Sequence, residues 1–297
     1  METVHVPVLL QEIVDNGNLS KGSIVFDGTL GGGGYSELFS EIIGKEGLVV
    51  ATDLDQEAIT RAQNRDYKSK TIFVRDSYSS IDSIAAENNI RFDLAVLDLG
   101  LSSDQLDQSK RGFSFKDREE PLDMSFQVDE ERATAQDILM NWSEESIADI
   151  IFGFGGERFS RRIARNVVEA RVESDIATVG DLLDIIDKSV PGSYKHRKTH
   201  PATKTFQALR IATNSEWKHI QDFLERAPAT MKDGGRIAIV SFHSGEDKVI
   251  KHTFRAWHQE GIGELVTKRP IKPGEQEIKE NPRSRSALLR IITINHR

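Results

Sequence analysis

The most informative part of the sequence is Val25-Phe26-Asp27-Gly28-Thr29-Leu30-Gly31-Gly32-Gly33-Gly34-Tyr35, near the N-terminus. An apolar run that ends in a carboxylate and then breaks into consecutive glycines predicts a buried strand that turns sharply into a helix. Downstream, Val49-Val50-Ala51-Thr52-Asp53-Leu54-Asp55 predicts the next strand, with Asp53 at its end. A strand–helix–strand unit places at this point the acid that binds ribose hydroxyls. The two strands and the turn therefore predict a nucleotide-cofactor site.

The position of Asp27 bears on which cofactor the turn accepts. A carboxylate directly before the glycines would repel a pyrophosphate, whereas it suits the ammonium of S-adenosyl-L-methionine. In such a site Asp27 can also meet a loop amide. The structural alternative is a tight glycine turn in which Asp27 only caps the helix. A nicotinamide-dependent oxidoreductase would share the glycine turn, but it leaves a later helical segment and several basic stretches without a purpose. The order of acid and glycines favours S-adenosyl-L-methionine.

Length and composition bound the class of protein. The chain has 297 residues, 38% hydrophobic and 29% charged, which is typical of a globular protein of one large or two ordinary domains. It contains neither a run approaching the roughly 20 apolar residues of a membrane span nor a signal-peptide pattern at its start, so we expect a cytoplasmic protein without membrane contact. Cysteine is absent, which excludes thiol nucleophiles. If the substrate is a cytosine, methylation at ring carbon 5 normally needs a cysteine, so only an exocyclic amine or a sugar hydroxyl remains as acceptor.

Positive charge is concentrated in three stretches, although the net charge is -8. They cover residues 158–171, 195–210 and 268–297, and each can be a solvated helix face or loop. Three such stretches on an acidic chain favour a phosphate-rich partner.

The hydrophobic rhythm divides the chain into an α/β part and a helical part. Short β-branched runs alternate with amphipathic stretches between residues 23 and 98, which predicts half of a doubly wound sheet. Helical spacing then prevails to about residue 205, and the α/β pattern resumes after it. We predict a discontinuous α/β domain of residues 1–105 and 206–297, with residues 106–205 as an inserted all-helical domain that recognises the substrate. The predicted strands are residues 24–26, 48–51, 72–74, 94–97, 236–242 and 287–294, and the predicted helices of the α/β part are residues 36–43, 56–64, 81–88, 214–231 and 246–258, with a turn at 232–235.

The carboxyl ends of the predicted strands hold the candidate catalytic residues, because ligands of open α/β sheets bind there. The fourth strand ends in Asp98-Leu99-Gly100-Leu101-Ser102-Ser103, where amine methyltransferases hold the reacting nitrogen. Acceptors on the amine protons localise its lone pair and aim it at the methyl group, and Asp98 and Ser102 are our candidates. The usual Asp/Asn-Pro-Pro-Tyr string is missing, so the aromatic residue that stacks on the base is Phe113, Phe115 or Phe242.

Three further groups of residues each have two interpretations. Tyr78 can lie against an adenine ring while Asp76 accepts its amine, or Asp76 can cap the next helix with Tyr78 half-buried. His243, in Ser241-Phe242-His243-Ser244, can take part in catalysis or be a structural hydrogen bonder. The cluster of His200, Lys198 and Lys204 fits no zinc pattern, and phosphate contact is the better hypothesis, as it is for Arg283 and Arg285.

An ordered set of motifs along the chain resembles the bacterial 16S ribosomal RNA (cytosine-N4)-methyltransferases, the MraW family, over nearly the whole length. Each motif alone is weak evidence for the family, but the ordered set of these motifs is specific to it. They are Asp27-Gly28-Thr29, Asp98-Leu99-Gly100, Arg111-Gly112-Phe113-Ser114-Phe115, Pro121-Leu122-Asp123-Met124, Glu157-Arg158-Phe159, Arg162-Ile163-Ala164, His200-Pro201-Ala202-Thr203, Thr205-Phe206-Gln207-Ala208-Leu209-Arg210-Ile211, Ser241-Phe242-His243-Ser244 and Asn281-Pro282-Arg283.

The resemblance implies a class I (Rossmann-like) methyltransferase sheet with a helical insertion. It also implies N4-methylation of a cytidine in the decoding centre of 16S rRNA, with S-adenosyl-L-methionine as donor, on a nearly assembled small subunit and without a metal. The implied cofactor residues, with those of the glycine turn, are Asp27, Gly31, Gly33, Gly34, Tyr35, Asp53, Tyr78, Asp98 and Gln105. The candidate RNA-binding residues are Arg162, Lys198, His200, Lys204, Arg283 and Arg285. The chain departs from the family pattern at Tyr35 (usually His), Asp104 (Pro), Ser125 (Arg), Gly156 (acidic) and Gly245 (Leu).

Overall fold

The computed structural model describes residues 7–100, 109–127, 133–196 and 199–296. The chain divides into two compact units. The first, called the sheet unit, comprises Met1–Gly100 and Trp217–Arg297, and the second, called the helical unit, comprises Leu101–Glu216. Within the described ranges no helix is long and apolar enough to cross a membrane.

The sheet unit is built on one seven-stranded sheet with the order β3-β2-β1-β4-β5-β7-β6. Strands β1 to β5 are parallel, and β7 is antiparallel to both of its neighbours. Asp27, Asp53 and Asp98 are the last residues of β1, β2 and β4, three adjacent strands, so their carboxylates share one edge of the sheet. The strands are β1 Ile24–Asp27, β2 Leu48–Asp53, β3 Lys70–Arg75, β4 Phe92–Asp98, β5 Met231–Ser241, β6 Gly263–Leu265 and β7 Leu288–Ile294.

Helices cover both faces of the sheet, which is why its central strands are apolar along their whole length. On one face pack Ile13 of α1 and Phe39 of α2, and on the other Phe223 of α11 and Phe254 of α12, all at most 1% exposed. The helices of this unit are α1 Leu10–Gly17, α2 Gly34–Ile43, α3 Gln56–Gln63, α4 Ile81–Glu87, α11 Glu216–Thr230, which begins one residue before the boundary, α12 Ser244–Glu260 and α13 Glu275–Glu280.

The predicted strands and helices of the α/β part all occur, with one difference in β5. The sequence predicts a turn at residues 232–235 before a strand, whereas the strand begins at Met231 and contains these residues as a bulge. Phe92 pairs with Met231 and Leu94 pairs with Arg236, so four residues of β5 lie opposite one of β4. Glycines make the bulge possible, because Gly234 has a φ of +76°.

The helical unit has its own core. Its helices are α5 Ala135–Asn141, α6 Glu144–Gly153, α7 Ser160–Glu173, α8 Val179–Ser189, α9 Gly192–Lys195 and α10 Thr203–Thr213. Side chains from these helices form one cluster that includes Leu139, Ile151, Ile163, Leu182 and Leu209, each fully buried. Side-chain caps begin several of the helices; Thr134 and Asp137, for example, bond to each other's backbone amides at the start of α5.

The limits of the helical unit differ from the predicted residues 106–205. The unit extends from Leu101 to Glu216, and the predicted end falls inside α10. This helix contributes Phe206, Ala208 and Leu209 to the helical core, so its apolar face ties it to the insertion.

We predict that Gly28→Ala destabilises the sheet unit. A Cβ atom at Gly28 would lie 2.3 Å from Leu97, 2.7 Å from Tyr78 and 2.9 Å from Phe26, and overpacking of this kind costs about 1–3 kcal/mol. Gly274→Ala is the matched control, because a Cβ atom there meets nothing within 4 Å. Urea unfolding of both variants measures the difference, and equal midpoints would contradict the packing argument.

Candidate functional site

The glycine turn after β1 is tied to the end of β2 by backbone hydrogen bonds. The amide of Leu30 donates to the Thr52 carbonyl (3.0 Å), and the amide of Gly31 donates to the Asp53 carboxylate (2.8 Å). Gly31 and Gly33 have φ of +47° and +80°, values that side chains rarely tolerate. The turn then enters α2, for which Gly33 is the N-cap. The first residues of α2 thus present their amides at the edge where the strand-end carboxylates lie.

Asp27 is fully buried at the end of β1. Its carboxylate accepts a hydrogen bond from the Ser36 hydroxyl (2.6 Å) and one from the Thr29 amide (3.3 Å), so it links the turn to α2. Burial raises the pKa of Asp27 to about 6, and the nearby Asp53 acts in the same direction. Both contacts of Asp27 are thus within the protein: one is with an amide of the loop, and the other is with a side chain in the first turn of α2.

Asp53 uses both carboxylate oxygens within its own loop. One accepts from the Gly31 amide (2.8 Å) and the other from the Asp55 amide (2.9 Å). Burial raises the pKa of Asp53 above its ordinary value, although these two amides act against that rise. Each oxygen keeps a second lone pair, which leaves the carboxylate able to accept from a ribose hydroxyl.

Asp98 stands at the end of β4 beside the glycine turn. Its amide donates to the Thr29 hydroxyl (2.7 Å), and the amide of Gly100 lies 3.4 Å from its carboxylate. Burial raises the pKa of Asp98 to about 7, with further contributions from the charges of Asp27 and Glu246. A carboxyl group with this pKa can hold or release a proton near neutral pH.

Tyr35 is buried in the sheet unit, with its ring 5.9 Å from that of Phe39. Its hydroxyl donates to the Val8 carbonyl and lies close enough to Asp98 for the two groups to influence each other's pKa. Burial raises the pKa of Tyr35 well above its ordinary value. Because this side chain is enclosed, we expect its backbone to make any contact with a ligand.

Tyr78 follows β3 and is held in place by neighbours from α11. Its ring meets the rings of His219 and Phe223 edge-on, with centroids 6.1 and 5.9 Å apart. His219 Nδ1 is also bonded to the hydroxyls of Ser77 (2.7 Å) and Ser79 (3.2 Å). The half-buried Tyr78 ring is therefore held in one orientation after the end of β3 by His219 and Phe223.

His243 caps the N-terminus of α12. Its Nδ1 accepts from the Glu246 amide (3.3 Å), and the Glu246 carboxylate accepts from the Phe242 amide (2.9 Å) and the His243 amide (3.3 Å). His243 Nε2 is buried 2.9 Å from a carboxylate oxygen of Glu246, and among the described residues it makes no hydrogen bond. These contacts agree with the interpretation of His243 as a structural hydrogen bonder.

The candidate aromatic residues differ in their surroundings. Phe113 is buried and stacks on Phe126 within the helical unit, with centroids 5.6 Å apart. Phe242 lies against the backbone of Gly100, where a Cβ atom would be 2.8 Å from its ring. Phe115 is half-buried and stacks on His200. Phe242 is thus the candidate next to Asp98.

The predicted RNA-binding residues occur in both units. In the helical unit, Arg162 donates to the Lys188 carbonyl (3.1 Å) and Lys204 donates to the Gly156 carbonyl (2.8 Å), while their side chains stay partly exposed. In the sheet unit, Arg283 and Arg285 are exposed on the short 3₁₀ segment Pro282–Ser286.

Three predicted site residues, Ser102, Gln105 and Lys198, lie outside the described residues. Among the described residues there is no group of three His, Asp or Glu side chains placed to hold a metal ion.

Several departures from the family pattern are accommodated locally. The Ser125 hydroxyl is buried and donates to Asp123. A Cβ atom at Gly245 would lie 2.9 Å from the Trp217 ring, so Leu would require a shift there. Gly156 adopts a φ of +62°, which favours glycine over an acidic residue. Asp104 lies outside the described residues.

Sequence reasoning missed three supporting residues: Thr29, His219 and Glu246. Glu246 stands three positions after His243, the spacing of a capping box, and this signal was available. Thr29 and His219 act through contacts distant in sequence, with Asp98 and with Ser77, which no local pattern indicates.

The strand order, the antiparallel β7 and the acid-flanked glycine turn define the Rossmann-like class of methyltransferase folds. The model of the MraW methylase family matches residues 2–295. Ribosomal RNA small subunit methyltransferase H of Dictyoglomus thermophilum is 42% identical over 295 residues, which is 98% of this chain and 97% of the relative. The enzymes of the same name from Cyanothece sp. and Nostoc punctiforme are 40% and 42% identical and cover 98% and 97% of this chain, at 94% and 93% of their own lengths.

The chain belongs to the MraW methylase family. The family and the α/β fold class with its helical insertion, both predicted from the sequence, are confirmed.

We predict that Asp98→Asn stabilises the protein above neutral pH. The folded pKa of about 7 exceeds the ordinary 3.8, so the carboxyl contributes stability below pH 4 that is lost as the pH rises through 7. The amide carries no charge, so we expect a gain of about 1–2 kcal/mol at pH 8, reduced by partial exposure, and none at pH 4.

The control is Asp93→Asn on the same strand. Asp93 is 2.7 Å from Lys232 and accepts the Ile24 amide, so its neutralisation should lower stability instead. Chemical unfolding at both pH values measures the effect, and an Asp98→Asn variant that is less stable than wild type at pH 8 would refute it.

Proposed function

We propose that this chain transfers a methyl group from S-adenosyl-L-methionine to the exocyclic N4 of a cytidine in the decoding centre of 16S ribosomal RNA. The observation that carries the proposal is the half-buried Asp98 beside the glycine turn, with its pKa raised to about 7. The small-subunit ribosomal RNA methyltransferases among the relatives support the substrate class. Absence of cysteine supports an amine acceptor over ring carbon 5.

The charges at the strand ends fit a cationic cofactor. The charges that act most strongly on Asp27 and Asp98 belong to other carboxylates, and both pKa values are raised. A ligand with a sulfonium and an ammonium group would relieve this repulsion, whereas a pyrophosphate would increase it. We therefore assign cofactor binding to Asp27, Asp53 and Tyr78, to the amides of residues 31–35, and, from the family motif, to Gln105.

Asp53 and Tyr78 hold opposite ends of the nucleoside in this proposal. The free lone pairs of Asp53 accept from the ribose hydroxyls. The Tyr78 ring, fixed by His219 and Phe223, covers the adenine. Both residues thereby orient the donor rather than react with it.

Asp98 acts on the amine that is methylated. When bound, S-adenosyl-L-methionine supplies an electrophilic methyl group. The Asp98 carboxylate accepts a hydrogen bond from the amine, which aims the nitrogen lone pair along the line of transfer. As the N–C bond forms and the S–C bond breaks, the nitrogen loses one proton, and Asp98 accepts it. Ser102 is proposed as a second acceptor, and Phe242 as the ring against which the base lies.

The RNA is proposed to contact both units. Arg283 and Arg285 are exposed cations in the sheet unit and suit phosphate oxygens. Arg162, Lys198 and Lys204 contribute positive charge to the helical unit, and together with His200 they are the residues of this unit to which we assign recognition of the substrate. We propose the nearly assembled small subunit as the natural substrate. His243 is proposed to support the Asp98 edge through its helix cap.

We predict that Asp98→Asn abolishes most methylation. Loss of a general base lowers the rate by about 100-fold or more. The assay uses small subunits from cells lacking the enzyme, with mass spectrometric mapping of the modified nucleoside. The wild-type kcat/KM for the cofactor should fall as the pH drops below about 7, because this parameter reports the cofactor-free protein, in which Asp98 must be ionised.

Asp66→Asn, at an exposed position of the same unit, is the control and should keep the wild-type rate and pH profile. Unchanged modification of the subunits by Asp98→Asn would reject the proposed chemistry and favour a role in assembly without catalysis.

We predict that Asp53→Ala weakens binding of S-adenosylhomocysteine by about 1–3 kcal/mol, because it removes the acceptor for the ribose hydroxyls and loosens the Gly31 amide. Calorimetry measures the affinity, with Asp66→Ala as the charge-matched control. NAD should not compete. An Asp53→Ala protein with wild-type affinity would remove this residue from the cofactor site.

A further inference from the structure

Two aromatic rings of the helical unit form a parallel stack. The rings of Phe115 and His200 have centroids 4.5 Å apart and planes 16° from parallel. Phe115 also meets Phe206 edge-on, with centroids 5.6 Å apart, and Phe206 is 4% exposed. The hydrophobic core therefore holds Phe115, and Phe115 in turn holds the imidazole.

A backbone hydrogen bond restrains rotation of the His200 imidazole within the plane of the stack. His200 Nδ1 accepts a hydrogen bond from the Ala202 amide (3.2 Å), directly before α10 begins. Contact on one face and a hydrogen bond at one edge leave the ring little room to rotate. His200 is nevertheless exposed, so a rigid aromatic surface faces outwards.

Such a surface suits a base better than a phosphate. A phosphate contact requires an N–H aimed at the oxygen, and it gains nothing from a second ring behind the imidazole. A base gains from a flat, immobile ring, because stacking depends on overlap and not on a charge. Proteins that bind single-stranded RNA stack splayed bases on Phe, Tyr, Trp or His in this way.

Cationic residues lie close to the two stacked residues in the sequence. Lys116 is exposed and follows Phe115 in the sequence. Lys204 lies in the first turn of α10, and its ammonium group is 2.8 Å from the Gly156 carbonyl. A second planar group, the Arg158 guanidinium, lies 4.6 Å over the Phe159 ring in the loop that contains Gly156. Aromatic faces beside cations are the combination that binds a base together with its phosphate backbone.

We propose that the Phe115–His200 stack is a platform for one unpaired base of the RNA substrate. The proposal rests on the proposed function, and it replaces the phosphate contact expected of His200. The base lies on the exposed face of the imidazole. Phe115 acts through His200 as a positioning residue.

Three substitutions at His200 separate stacking from phosphate contact. His200→Phe keeps a flat ring without N–H groups, His200→Lys keeps a cation without a ring, and His200→Ala removes both. The probe is a short single-stranded RNA that carries 2-aminopurine, whose fluorescence is quenched on stacking. His252→Ala, an exposed histidine of α12, is the matched control.

Stacking predicts that His200→Ala and His200→Lys bind the RNA about five-fold or more weakly and lose the quenching. His200→Phe should bind and quench like the wild type. The slope of affinity against salt should be unchanged in His200→Ala, since a lost phosphate contact would lower it by about one. Phe115→Leu, which keeps apolar packing on Phe206, should reduce quenching without a change in salt slope.

The opposite ranking would overturn the proposal: wild-type binding by His200→Lys with weak binding by His200→Phe. Wild-type quenching in His200→Ala, or no binding of the RNA by the wild type, would also overturn it. Thermal unfolding checks that each variant folds. Methylation of small subunits by the wild type is measured in parallel, so that loss of the proposed function is distinguished from loss of the platform alone.

Discussion

The structure depends on the burial of carboxylates at three adjacent strand ends around one glycine turn. Asp27 bonds to the Thr29 amide and the Ser36 hydroxyl, while Asp53 bonds to the Gly31 amide. These bonds hold the turn against β2 and fix the start of α2. Burial disfavours the charged form of each carboxyl, and backbone amides offset only part of that cost. The sheet unit thus gives up stability at the edge where we propose that the cofactor binds.

Asp98 is the least compensated of the three. Among the described residues, the Gly100 amide and the Tyr35 hydroxyl lower the pKa of Asp98, but burial and the charges of Asp27 and Glu246 raise it by more. A residue serving only stability would be expected to have a cationic partner, as Asp93 on the same strand has in Lys232. The two aspartates of β4 thus differ: Asp93 has an ion-pair partner, whereas Asp98 has a pKa raised to about 7, as the proposed proton acceptor requires.

The sequence predicted six of the seven strands but neither the short β6 nor the side chains that support the strand ends. Asp27 and Asp53 end apolar runs, and parallel strands bring such ends together, so the candidate site followed from the pattern. The bulge of β5 could not be predicted, because Gly234 and Gly235 suit a turn equally well. The partners of Tyr78 also escaped prediction, since His219 is distant in sequence and belongs to a helix recognised only by its apolar face.

The insertion illustrates why a boundary is harder to predict than a fold. The chain leaves the sheet unit two residues after Asp98 and returns at Trp217, in the first turn of α11, the crossover helix that leads into β5. Strands β4 and β5 still pair in register from Leu94 to Asp98, so the sheet is continuous despite the intervening residues. Loops at the carboxyl ends of strands tolerate such additions because the ladder hydrogen bonds lie behind them. The inserted segment therefore begins directly after the strand end that carries Asp98, the residue to which we assign the chemistry.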